Sequence, residues 1–130
     1  MKALTIRQPF AWGIIHGTKR VENRSRPTSH RGLLLIHAGS SRQDLGRYGR
    51  GEPSEGRLVF GAFIGTVEVI DCVPVEQAPA GRFTVGPWCW LLANPTPFID
   101  PIPYRGRQSL FEVPDEFIRD PAGWLLFRSQ

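Results

Sequence analysis

Cysteine and lysine are scarce in this 130-residue chain, which carries two of each. Cys72 and Cys89 form no CxxC pair and no metal-ligand spacing with the three histidines. A disulfide scaffold and a zinc site are therefore not expected, and both thiols read as reduced and largely buried. No histidine–carboxylate spacing suggests a metal, and no cofactor is expected. No window approaches the length of a membrane span. Arg7 interrupts the apolar run near the start, which leaves no signal-peptide core, so the expectation is a cytoplasmic protein. With neither an internal repeat nor a linker, the expected organisation is one domain over residues 1–130. Hydrophobic residues make up 41% and charged residues 22%, a globular balance that argues against wholesale disorder.

What is abundant is arginine, and it is unevenly placed. Fourteen of the sixteen basic residues are arginine. The first fifty residues carry ten basic side chains against Glu22 and Asp44, ten minus two or +8. The remaining eighty carry six basic and ten acidic residues, six minus ten or −4. A basic half suggests a polyanionic partner, of which the phosphate backbone is the commonest. The compositional alternative is a GC-rich genome, which raises arginine without selection for binding.

The apolar pattern predicts several short strands of mixed length. Ala3 to Arg7 alternates as a strand, and Pro9 then suits the first turn of a short helix with an apolar stripe through Phe10 and Ile14. Gly17 is the expected left-handed stop. Residues 20–24 should be extended, and Leu33 to Ala38 forms a strand buried on both faces. Gly39-Ser40-Ser41 reads as a loop and N-cap before a small helix around residues 42–48, and residues 49–57 as a flexible loop. Residues 60–75 give the longest strand signal, with glycines that suggest bulges or bends. Trp88 to Leu92 is a further strand, ended by Pro95, Pro97, Pro101 and Pro103. Residues 109–113 form a last short strand, and Pro114 to Ile118 a turn or helix. The sum is an α+β, mainly β chain: a strongly bent barrel with two or three short helices at its ends.

The densest polar stretch is Gly17-Thr18-Lys19-Arg20-Val21-Glu22-Asn23-Arg24, poor material for a core and suitable for one wall of a pocket. Lysine beside other cations in a dry pocket can act as base or nucleophile, and Arg20 and Arg24 are the expected neighbours of Lys19. The alternative is an exposed turn lysine that binds phosphate or nothing. Glu22 cooperates with Lys19 only if a turn or bulge at residues 18–20 takes Lys19 out of the regular ladder, because strand positions three apart face opposite sides. Glu22 and Asn23 could read a base edge, or Glu22 could simply pair with Arg20 or Arg24. Arg7, Arg24 and Arg26 are natural phosphate forks. His37 ends a buried strand next to Gly39 and is either a pocket residue or a core histidine held by a backbone carbonyl. Trp12, Trp88 and Trp90 are candidate stacking surfaces, with one of the Trp88–Trp90 pair expected in the core. Core packing is the better assignment for Trp124.

Taken in order, Leu4-Thr5-Ile6-Arg7-Gln8-Pro9, Gly17-x-Lys19-x-x-Glu22-Asn23-Arg24 and Gly32-Leu33-Leu34-Leu35-Ile36-His37-Ala38-Gly39 resemble the ASCH domain family of the PUA-like superfamily. Gly65-Thr66-Val67-Glu68, Gly86-Pro87-Trp88-x-Trp90 and Pro101-Ile102-Pro103-Tyr104 fit the same pattern, so the resemblance covers nearly the whole chain. It implies a small PUA-like β-barrel, closed or partly open, with a groove suited to RNA, single-stranded nucleic acid or a modified nucleotide. Some members are linked to nucleic-acid binding, some to ribonuclease activity, and a bacterial subgroup hydrolyses the amide of acetylated cytidine. On that basis the nucleic-acid-binding candidates are Arg7, Gln8, Trp12, Lys19, Arg20, Glu22, Asn23, Arg24, His37 and Trp88, with Lys19 and Glu22 the catalytic candidates if the chain is an enzyme. The amidohydrolase subgroup has a threonine three residues after its lysine, where this chain has Glu22. It also has a glutamate in a helical segment after the central strand, where this chain offers only Glu76.

Overall fold

The computed structural model describes residues 1–118, so Trp124 lies outside the described residues. Strand β1, Lys2–Ile6, leads into a short helix α1, Phe10–Ile15, and then β2, Val21–Arg24. Strands β3, Gly32–Ala38, β4, Ala62–Pro74, and β5, Trp88–Pro103, form the body of the sheet. A two-residue β6, Phe111–Glu112, and a one-turn α2, Asp115–Ile118, follow. The six strands form one mixed sheet in the order β2-β5-β4-β3-β1-β6, with β1 and β3 parallel and the other neighbours antiparallel. Among the described residues β2 and β6 are its two edges, so the sheet is strongly bent but not closed.

Strand β3 is the spine of the core. Its alternation sends Leu34 and Ile36 against Ile14 and Ile15 of α1, while Leu35 packs with Phe63, Phe98 and Phe111 on the other face. Burial on both faces is what its unbroken apolar run predicts. Helix α1 is only six residues long and depends on this packing, with Ala11, Gly13, Ile14 and Ile15 buried. It ends as expected at Gly17, whose φ of 85° is open to glycine at little cost.

Two expectations from the sequence are corrected. Residues 42–48 form no helix: they are turns, broken by Gly46 and Gly49 at φ of 86° and 91°. The carboxylate of Glu52 accepts hydrogen bonds from the backbone N–H groups of Gly46 and Tyr48, at 2.7 and 2.9 Å, fixing a loop where a helix would have satisfied them internally. Strand β5 does not stop at its prolines but runs sixteen residues through them. Its partner β2 covers only Trp88 to Leu91, so Pro95, Pro97, Pro101 and Pro103 lie where one side of β5 has no neighbour and a missing N–H breaks no ladder bond. The bulges expected in β4 are present at Ile64, against β3, and at Ile70, against β5, while the register shift at residues 66–68 places its extra residue on β5.

Candidate functional site

The site begins where α1 ends. The backbone N–H groups of Thr18 and Lys19 both donate to Gly13 O at 3.0 Å, which wraps the chain back over the helix end. Strand β2 starts only at Val21, so Lys19 stands outside the ladder. Its ammonium donates to Val21 O and, at 3.0 Å, to Glu22 Oε1. The other carboxylate oxygen of Glu22 accepts from Arg24 Nη1 at 3.2 Å. Lys19 is 4% and Glu22 8% exposed, and the rings of Phe10 and Phe83 lie 6.0 and 5.9 Å from Lys19 Nζ. A carboxylate therefore sits between ammonium and guanidinium at the bottom of a concavity. The expected cationic neighbour Arg20 is not there: its Nε donates to Gly17 O at 3.0 Å and the side chain lies outside the cleft. The group in contact with the Lys19 ammonium is the Glu22 carboxylate, which Arg24 shares from its other oxygen.

This floor opens into a cleft of about 780 Å³. Six cations line it, Arg7, Lys19, Arg24, Arg47, Arg82 and Arg107, against Glu22 and Asp44, six minus two or a net +4. Asp44 lies between Arg7 and Arg47, at 4.0 and 3.7 Å. Arg82 is held flat: its two terminal nitrogens donate to Tyr48 O at 3.1 Å and Arg50 O at 3.2 Å, and its guanidinium stacks on Tyr48 and Phe83 at 4.9 and 4.5 Å. The Arg107 side chain has no ion-pair partner among the described residues and is free for an anion.

Of the residues singled out from the sequence, Arg7, Lys19, Glu22, Asn23 and Arg24 share this cleft, and Gln8, Trp12, Arg20, His37 and Trp88 do not line it. Gln8 is buried, where its amide accepts from Trp12 N at 2.8 Å and donates to Val59 O at 2.9 Å. Trp12 stacks on His16 with ring centroids 4.7 Å apart. Trp90 is the core member of its pair, its indole N–H donating to Arg26 O at 3.2 Å, and Trp88 is half-buried on β5 opposite Arg24. His37 is the core histidine of the two alternatives: Nε2–H donates to Tyr104 O at 2.6 Å and Nδ1 faces the Thr5 hydroxyl at 3.2 Å. Burial pushes its pKa below the usual 6.5, against a smaller opposing contribution from the Tyr104 carbonyl. The same Thr5 oxygen accepts from Arg107 N at 3.3 Å, so His37 and Thr5 support the loop that brings Arg107 to the cleft.

Arg47, Arg82, Phe83, Val85, Arg107 and Gln108 are lining residues that sequence reasoning missed. They sit in loops without periodicity, and Arg82 and Arg107 belong to the acidic part of the chain. Only tertiary register brings them to Lys19. Among the described residues no cluster of histidine, cysteine or carboxylate side chains could hold a metal, and no helix is long and apolar enough to cross a membrane.

An ASCH domain profile matches residues 4–101. Over 126 aligned residues the chain is 29% identical to activating signal cointegrator 1 from human and from mouse, with 85% of this chain covered. The chain spans only 22% of the length of those relatives. In three dimensions it is similar to the crystal structure of ASCH from Zymomonas mobilis, with a TM-score of 0.61, 19% identity and 89% of both chains covered. A mutant of the same Zymomonas protein gives a TM-score of 0.58 at 19% identity, covering 89% of this chain and 91% of that one. At such identities these structures bear on the fold alone.

Proposed function

The chain belongs to the ASCH domain family, and from that premise we propose that its basic cleft binds RNA, another single-stranded nucleic acid or a modified nucleotide. One observation carries the reading: six cations against two carboxylates converge on a single concavity of about 780 Å³. That volume lies within the usual range of ligand sites. Arginine guanidinium groups supply two parallel donors to phosphate oxygens, and a concave basic surface concentrates the field that attracts them. Lys19, Glu22 and Arg24 form the polar floor beneath the ligand.

A second reading, hydrolysis of RNA or of a modified nucleoside, draws on the contact between Lys19 Nζ and Glu22 at the cleft floor. That pair supplies an ammonium and a carboxylate for general acid–base work. One experiment separates the two. The protein and its Lys19→Ala variant are incubated with labelled single-stranded RNA and with acetylated cytidine. Salt-sensitive binding without turnover supports the binding module, and turnover lost in the variant supports the hydrolase. Neither binding nor turnover removes both.

A further inference from the structure

Residues 79–86 cross from the single turn that follows β4 to the start of β5, and they hang on one side chain. Asn23 Nδ2 donates to Phe83 O at 2.8 Å, and its Oδ1 accepts from the N–H groups of Val85 and Gly86 at 2.9 and 2.8 Å. The Cys89 thiol approaches the same Oδ1 at 3.7 Å. The acceptor capacity of the amide is thus spent on the protein's own groups, and one of its two N–H donors is committed to Phe83 O. What Asn23 controls is the position of the crossing segment.

That segment carries Arg82 and Phe83, both of which line the cleft. The Phe83 ring is braced by Tyr48 at 5.1 Å and, edge-on, by Phe10 at 6.5 Å. The Arg82 guanidinium lies 4.5 Å from the Phe83 centroid and is held in place by two carbonyls. Aromatic rings and guanidinium planes are the two surfaces on which unstacked bases settle. Phe83 also lines a second, mostly apolar hollow of about 280 Å³ between Thr18, Arg20 and Leu91. The segment therefore has space behind it into which an untethered Phe83 can withdraw.

We propose that residues 79–86 form a strap whose Phe83–Arg82 face is the base-stacking wall of the cleft, and that Asn23 is the positioning residue that holds this wall in place. The proposal rests on the nucleotide-binding reading above. It assigns base affinity to the strap and phosphate affinity to the remaining arginines, so the two are separable.

The test is fluorescence anisotropy with two 5′-labelled probes of equal phosphate count, a hexa-adenylate RNA and a hexameric ribose-phosphate chain without bases. Wild type is expected to prefer the base-bearing probe by roughly tenfold or more, the scale of one stacked base. Asn23→Ala and Phe83→Ala should each bring the ratio of the two affinities close to one, and the double variant no further, since residues acting as one unit are non-additive. Thermal unfolding establishes that each variant is folded. If Asn23→Ala does not fold, Asn23→Asp takes its place in the cycle: it keeps the acceptor for Val85 and Gly86, loses the donor to Phe83 O, and should give an intermediate ratio. Equal wild-type affinity for the two probes overturns the strap while leaving the cleft reading intact, and no binding of either probe overturns both. A folded Asn23 variant that keeps the wild-type ratio, or losses that simply add, overturns the positioning role.

Discussion

At the scale of single residues, the floor of the cleft tests how a buried ion pair responds to losing one member. Glu22→Ala leaves the Lys19 ammonium among Phe10, Phe83 and Val21 O and strips Arg24 of its partner. Removing one side of a buried pair typically costs about 3–5 kcal/mol, because the remaining charge is uncompensated. Lys19→Met keeps most of the side-chain volume and leaves Glu22 bound to Arg24, so its cost should be clearly smaller. Urea unfolding of both variants gives the order, and a Lys19→Met loss equal to or larger than that of Glu22→Ala would contradict the pairing. His37 makes a second residue-scale prediction. Its folded pKa is lowered by burial, so below an unfolded value of about 6.5 the unfolded chain takes up a proton that the folded chain resists. The neutral imidazole's contribution is present above that value and is lost as pH falls beneath it. Melting temperature should decline between pH 7.5 and 5.5, and His37→Gln should flatten that decline while lowering stability throughout. His37 was open to two readings in the sequence because a buried strand ending in histidine beside glycine describes both a core residue and a pocket. Only the Tyr104 carbonyl, 67 positions away in the chain, decides between them.

At the scale of elements, legibility followed periodicity. Strands β1 and β3, helix α1 and its glycine stop could be read because each combines an apolar repeat with a specific terminating residue. The loop at residues 42–48 could not, since the side chain that organises it, Glu52, lies outside the segment it holds. Strand β5 was cut short because prolines forbid a ladder only where both sides are paired, and which side is paired depends on the length of β2. Gly65, the one glycine within β4, adjoins its bulge at Ile64, and its surroundings show why it must be glycine. A Cβ there would sit 2.5 Å from Thr96 O and 2.9 Å from Ile15 Cδ1, wedged between β5 and α1. Thr96 O is backbone, as is Pro97 Cα at 3.1 Å, so β5 has to move and the Ile15 methyl has to turn away. Gly65→Ala should cost about 1–3 kcal/mol by overpacking, measured as a lower urea midpoint with little change in slope. A neutral substitution would mean that α1 is less firmly seated on β4 than these contacts imply.

At the scale of the whole molecule, the sequence indicated a basic surface but misplaced its boundary. The charge division at residue fifty put every expected phosphate contact in the first part of the chain, whereas the cleft takes Arg82 and Arg107 from the part with a net −4. It leaves out Arg42, which pairs with Glu55 at 2.9 Å and stacks on Phe60 at 4.2 Å. Net charge is therefore a poor guide to where a polyanion lies, and salt dependence measured on single variants is a better one. Each phosphate neutralised on a single strand contributes about −0.7 to the slope of log affinity against log salt concentration. Three or four engaged arginines should give wild type a slope of about −2 to −3 with single-stranded RNA. Arg47→Ala and Arg107→Ala should each reduce its magnitude by about 0.7, and Arg42→Ala should leave it unchanged. An equal reduction in all three variants would place the polyanion on a diffuse basic surface and take the cleft out of the account. A reduction confined to Arg47 and Arg107 would locate the phosphates on its rim, directly above the Lys19–Glu22–Arg24 floor.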